Sequence, residues 1–178
     1  GPFLLRTLVW RALPSRAIGY ARGMPVRLDE IDRLILDLLQ KDGRMTNASI
    51  ARFVGLSAPS VLQRIRRLED SGIIKEYKAV LGQEQLGYDL MVLVHVSLAL
   101  HQEPPIQSFA EEASALPEVL ECLHVSGDFD FQLKVVAKSM PEYQAFITHK
   151  LSRISGVGKI MSSFVLAPCK VTTDLPLP

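Results

Sequence analysis

The stretch Thr46–Leu68, TNASIARFVGLSAPSVLQRIRRL, constrains the fold more than any other part of the chain. It holds two short helical patterns separated by a break at Gly55-Leu56-Ser57. Before the break, Ile50, Ala51 and Val54 form one apolar stripe. Ala51 is small, so two helices can cross closely there. Gly55 stands where the chain must reverse, a place for a residue free to take positive φ. Ser57 reads as the N-cap of the next helix, with Pro59 in its first turn, where a missing N–H costs nothing. Val61, Ile65 and Leu68 then recur at i, i+4 and i+7 and should pack inward. Ser60, Gln63, Arg64 and Arg67 recur on the opposite face, and none is acidic.

Such a pattern is the layout of a helix-turn-helix, which lays its second helix in the major groove of DNA. Serine and glutamine can read base edges, and arginine can grip guanine bidentately or hold a phosphate. Ser57, Ser60, Gln63, Arg64 and Arg67 are therefore the candidate DNA-binding residues. The competing reading is a solvated charged face on an ordinary helix. The turn, the cap and the lack of carboxylates before Glu69 outweigh it.

Flanking segments complete a small domain. Asp29–Leu39 carries Ile31, Leu34, Ile35, Leu38 and Leu39 on one stripe, with its carboxylates in the first turn, where the helix dipole favours them. Lys41 and Gly43 mark its end. After Gly72, Ile73–Val80 looks extended, which makes three helices and a short β-element, a winged helix-turn-helix. Lys75 and Lys78 could reach phosphates from the wing, or simply be solvated on an edge strand.

Net charge is +1 over 178 residues, which says little until it is divided along the chain. Residues 1–26 hold four arginines and no acid, residues 27–78 hold ten basic and eight acidic side chains, and residues 79–178 hold six and eleven. An acidic second half is repelled by DNA and must do something else. Its pattern alternates. Leu90–Leu100, Val119–Ser126, Phe129–Ala137 and Val157–Leu166 read as strands, and Ile106–Leu116 and Pro141–Ile154 as helices, with a tight turn at Gly127-Asp128. The order β-α-β-β-α-β predicts a ferredoxin-like domain. In the first strand Leu90, Val92, Val94, Val96 and Leu98 point one way. Met91, Leu93, His95, Ser97 and Ala99 point the other, a second largely apolar face that a second copy would cover.

The run LDEIDRLILDLLQKDGRMTNASIARFVGLSAPSVLQRIRRLEDSGIIKEYKAVL resembles the N-terminal domain of the Lrp/AsnC (feast/famine) transcription regulators. The run CLHVSGDFDFQLKVVAKSM resembles the turn between the second and third strands of that family's amino-acid-sensing RAM domain. Together the resemblance covers about Val26 to Thr173. It implies an α+β chain, a winged helix-turn-helix plus a ferredoxin-like βαββαβ domain, that binds double-stranded DNA. It also implies dimers that assemble into octamers, a small-molecule effector, usually an amino acid, and a cytoplasmic, nucleoid-associated location. Gly127, Asp128 and Asp130 stand in the family's signature loop. Ser162 and Ser163 stand on the last strand, where family members often offer hydroxyls to the ligand. A glycine turn can expose N–H groups to a carboxylate, and an aspartate can take an ammonium. The same loop could be a plain hairpin with Asp128 bonding its own backbone. The tail Cys169–Pro178 resembles the KxTTxLP ending of one branch of the family, which favours a local regulator of neighbouring genes.

The domain plan expected is a basic extension over 1–25, a DNA-binding domain over 26–80, a linker over 81–88, a sensing and oligomerisation domain over 89–168 and a tail over 169–178. Gly1-Pro2 reads as a tag-cleavage scar. Residues 3–23 are a misplaced upstream start before Met24, a DNA-gripping arm or a targeting peptide, in that order. No segment has the length of a membrane helix.

Nothing points to a cofactor, a metal or a catalytic residue. Cys122 and Cys169 lack CxxC or CxxH spacing. His95 and His124 could meet in space as a metal or catalytic pair. There is no nucleophile elbow, P-loop or dinucleotide fingerprint. Two alternatives to a ligand-responsive regulator stay open. One is an enzyme like the sirohaem decarboxylases, which share both domains, although the acidic balance speaks against binding an anionic tetrapyrrole. The other is an architectural protein that wraps DNA without an effector.

Overall fold

Ser57 begins a helix because its hydroxyl accepts the Ser60 amide, which has no carbonyl a turn earlier in the helix to bond. The same logic of caps and stripes sets every element of the first unit. The computed structural model describes residues 27–99 and 105–178, so the expectations for residues 1–25 and for Leu100 lie outside it. The described chain divides into two compact units. One comprises the residues up to Tyr77 together with Asp174–Pro178, and the other comprises Lys78–Thr173.

The first unit has three helices, α1 (Glu30–Lys41), α2 (Asn47–Val54) and α3 (Ala58–Asp70). Asp29 caps α1 and forms a capping box with Asp32, each side chain accepting the other's main-chain N–H. Thr46 caps α2, which ends at Gly55 with φ of +70°. Ile35, Leu36, Ile50, Ala51, Val61, Ile65 and Leu68 form the core. Two details of α1 depart from its apolar stripe. Leu34 is 52% exposed, and Leu36 is buried in its place. Asp32 is fully buried, a carboxylate one turn before Ile35 and Leu36 on the inward side.

The expected wing is not a strand. Residues 73–80 have no ladder partner among the described residues, because a strand needs a neighbour and this unit offers none. Instead the N–H groups of Ile73 and Ile74 both donate to the Leu68 carbonyl, closing the end of α3. Tyr77 donates to Glu69 across 3.1 Å. Residues 81–88, expected as linker, contain a single 3-10 turn at Glu84–Leu86.

The second unit runs β1 (Leu90–Leu98), α4 (Pro105–Ser114), β2 (Val119–His124), β3 (Phe131–Ala137), α5 (Met140–His149) and β4 (Val157–Phe164). The sheet order is β2-β3-β1-β4 and all pairs are antiparallel. This is the βαββαβ ferredoxin-like order. Burial alternates along β1, and Val92, Val94, Val96 and Leu98 share one core with Phe109 and Ala113 of α4 and Tyr143 and Phe146 of α5. Both helices therefore cover the same sheet face. Phe109 and Phe131 meet at its centre with ring centroids 4.6 Å apart. The β2–β3 connection is wider than a tight Gly127-Asp128 turn, since β2 ends at His124 and β3 begins at Phe131.

Candidate nucleic-acid interface and sensing layer

Leu56 N–H reaches back to the Ala51 carbonyl, and Gly55 takes the left-handed conformation between them. This turn throws the first residues of α3 outward. Ser57 caps α3 by accepting from the Ser60 amide at 3.3 Å, and their hydroxyls lie 2.8 Å apart. Pro59 fills the first turn without wasting a donor. Ser57, Pro59, Ser60 and Gln63 are exposed, while Val61, Ile65 and Leu68 are buried. The open surface is thus polar, free of carboxylates until Glu69, and presented by the N-terminal half of α3.

Arg64 and Arg67 do not share that freedom. Arg64 Nη1 sits 2.7 Å from Asp29 Oδ2 and 2.8 Å from Asp32 Oδ1. Arg67 bonds the other oxygen of Asp32. Both lie on the face opposite the core, as their spacing predicts, but their guanidiniums are engaged by carboxylates there. They lean onto the N-terminal turn of α1, because Asp32 is buried and a buried carboxylate must be paired. Arg64 is about a quarter exposed and Arg67 about half. The bond to Arg64 holds the Asp29 carboxyl below its ordinary value of 3.8, and in return raises Arg64. The sequence carried a signal for this arrangement, a carboxylate at position 32 inside an apolar stripe. Arg66 was also overlooked. It is exposed and makes no ion pair among the described residues. Lys75 and Lys78 are exposed.

In the second unit, the loop residues Gly127, Asp128 and Asp130 gather at the end of β1. Gly127 takes φ of +126°. Ser97 donates to the Asp128 carbonyl at 3.3 Å. Asp130 is occupied, its carboxylate accepting from the Leu98 N–H at 2.7 Å while its own N–H donates to Val96. Phe129 lies 5.1 Å from the His95 ring, and Lys159 stands 5.4 Å above Phe129.

The two serines of β4 are placed apart from that loop and from each other. Ser162 pairs with Val94 and turns to the helix side, where Tyr143 donates to its hydroxyl at 2.5 Å. Ser163 pairs with Leu93 and turns to the open sheet face. Leu93 lies four residues before Ser97, roughly 13 Å along the strand. Within one chain, Ser163 and the loop therefore lie toward opposite ends of the sheet. His95 and His124 do not meet either. His95 pairs with Gln132 on the open face, while His124 stacks on Phe131, which is part of the core. Among the described residues no group of three metal-ligating side chains comes together. Cys122 is partly buried against the core, and burial raises its thiol.

A helix-turn-helix whose second helix opens on an exposed polar face, followed by an antiparallel βαββαβ domain, defines a DNA-binding protein with a separate regulatory module. Models of known families match both parts. Residues 28–75 match a winged helix-turn-helix DNA-binding domain, and residues 91–175 match the Lrp/AsnC ligand-binding domain. The chain is 38% identical over 145 residues to the leucine-responsive regulatory protein of Rhizobium meliloti, spanning 82% of this chain and 93% of that one. It is 39% identical over 150 residues to the Bkd operon transcriptional regulator of Pseudomonas aeruginosa, spanning 84% and 98%. The transcriptional regulator NMB0573 of Neisseria meningitidis, solved as its L-Met complex, superposes with a TM-score of 0.81 at 35% identity, covering 84% of this chain and 97% of that one. The chain belongs to the Lrp/AsnC family of transcriptional regulators.

Proposed function

We propose that this protein binds operator DNA through the N-terminal half of α3, as a dimer or higher oligomer, and that an amino acid bound in the sensing unit changes that binding. The observation that carries the reading is the exposed Ser57, Ser60 and Gln63 surface, with Arg64 and Arg67 fixed beside it by Asp32. Gln63 is the base reader, because it is exposed at the middle of that face and its amide has no hydrogen-bond partner among the described residues. Arg66 and Arg67 are phosphate contacts, and Arg64 braces the helix as well as adding positive charge. The L-Met complex of the Neisseria protein supports an amino acid as the effector class. Gly127 and Asp128 supply an exposed turn for its charged groups, with Asp130 holding that turn to β1. Ser163 contributes from the open sheet face, and Ser162 acts through Tyr143. An exposed sheet face bearing Met161 and Leu123 supports self-association, since it leaves apolar surface in water.

The test is a pair of binding titrations. Gln63→Ala should weaken operator binding roughly 5- to 150-fold, from about 1–3 kcal/mol of lost base recognition. Binding to random DNA should change less than about twofold. Equal losses on both DNAs would remove Gln63 from base reading. Thermal-shift screening against the twenty amino acids should find at least one that raises the melting temperature. Light scattering of the free protein reads the oligomeric state. No change in melting temperature with any amino acid, and no change in operator binding, would leave an effector-independent DNA-wrapping protein.

A further inference from the structure

The outer face of α1 holds a contact that the DNA-binding reading does not use. Residues Asp174–Pro178 return to the first unit and lie along α1. Gln40 clasps Leu175 by both of its main-chain polar atoms. The Leu175 N–H donates to Gln40 Oε1 at 2.6 Å, and Gln40 Nε2 donates to the Leu175 carbonyl at 3.2 Å. A side-chain amide here offers what a neighbouring strand would offer. Arg33 Nε donates to the Pro178 main-chain oxygen at 2.5 Å, three residues further on. Between these two anchors Leu177 packs against the core of the unit, and Leu34, exposed on the α1 surface, lines the same groove as Leu175 and Leu177. The sequence of the segment suits this use. Pro176 and Pro178 fix φ and remove two donors, so the segment has little freedom to lose on docking and few amides to satisfy.

We propose that the outer face of α1 is a docking site for an extended Leu-Pro-Leu-Pro segment, and that the chain's own residues 174–178 fill it as a strap. Leu34 faces this groove rather than the three-helix core, and stays 52% exposed with the strap in place. The strap also gives the sensing unit an attachment at each end. The chain leaves the DNA-binding unit after Tyr77 and comes back at Asp174, ten residues beyond the last residue of β4. The helix on which it lands carries Asp29 and Asp32, which hold Arg64 of α3. A ligand-dependent pull on the strap would thus act on the helix that orients the recognition arginines. That coupling rests on the regulator reading above, while the docking does not.

Two measurements test the docking on the full chain. In a background of Cys122→Ser and Cys169→Ser, the pair Leu34→Cys and Leu177→Cys is treated with a short bis-maleimide. A cross-linked product migrating as a single chain is expected, and adding Gln40→Ala should lower its yield at least about fivefold. A product of two chains would assign the groove to a second copy's tail and overturn the strap, and so would no product at all. Hydrogen exchange on the unmodified chain is the second reading. The Leu175 amide should exchange at least about tenfold more slowly than in a free peptide of the same sequence. Exchange at the free-peptide rate would overturn the proposal whether or not the cysteine variants fold.

Discussion

Replacing Asp32 by alanine should loosen the DNA-binding unit far more than its position in a surface helix suggests. The side chain is about 1% exposed and does two jobs. It accepts the Asp29 N–H in the capping box, a device worth about 0.5–2 kcal/mol. It also binds Arg64 and Arg67. Removing one partner of a fully buried pair costs about 3–5 kcal/mol, because the other charge is left stranded. Here both guanidiniums reach solvent and Arg64 keeps Asp29, so only a fraction of that penalty applies. The expected total is about 2–3 kcal/mol. Because the chain has two units, a single melting temperature would blur the effect. Hydrogen exchange separates them: the amides of α1 and α3 should exchange roughly 30- to 160-fold faster, at about 1.4 kcal/mol per factor of ten. Peptides from β1 and β3 should not change and serve as the internal reference. Acceleration below about threefold in α1 and α3 would refute the claim that Asp32 holds the two helices together. A double-mutant cycle with Arg64→Ala should show a coupling of about 0.5–3 kcal/mol, since the two side chains touch.

Two further outcomes follow from the same unit. Gly55→Ala forces a Cβ into the left-handed region at φ of +70° and should cost about 1–2 kcal/mol in urea unfolding followed by helix circular dichroism. An unchanged midpoint would mean that the turn is not under conformational demand. The Arg64 bond depresses Asp29 below 3.8, so its stabilisation is present above that pH and is lost as pH falls through the lower folded value. Asp29→Asn should therefore be less stable than the parent at neutral pH, with the gap closing below about pH 4. A gap that stays constant down to pH 2 would contradict the pairing.

Much of the DNA-binding unit is legible in the residues because its determinants are local. Ser57 caps Ser60 three positions on, and Gly55 meets a demand of its own backbone. Period-2 alternation likewise identifies the buried face of β1. The split of Ser162 and Ser163 was also legible, since adjacent residues on a strand must face opposite sides. The wing was not, because Ile73–Val80 has the composition of a strand, and composition carries no information about whether a neighbour exists.

By itself, then, the order of residues determined the cap of α3, the turn before it and the inward stripe of Val61, Ile65 and Leu68, which depend on interactions spanning four residues or fewer. The tertiary structure alone decided where Arg64 goes and which helix receives Leu175. Those outcomes depend on pairs such as Asp32 with Arg64 and Gln40 with Leu175, separated by 32 and 135 positions. A charge or an amide has no preferred direction in a sequence. It acquires one only when folding brings a partner within reach and removes the water that would otherwise satisfy it.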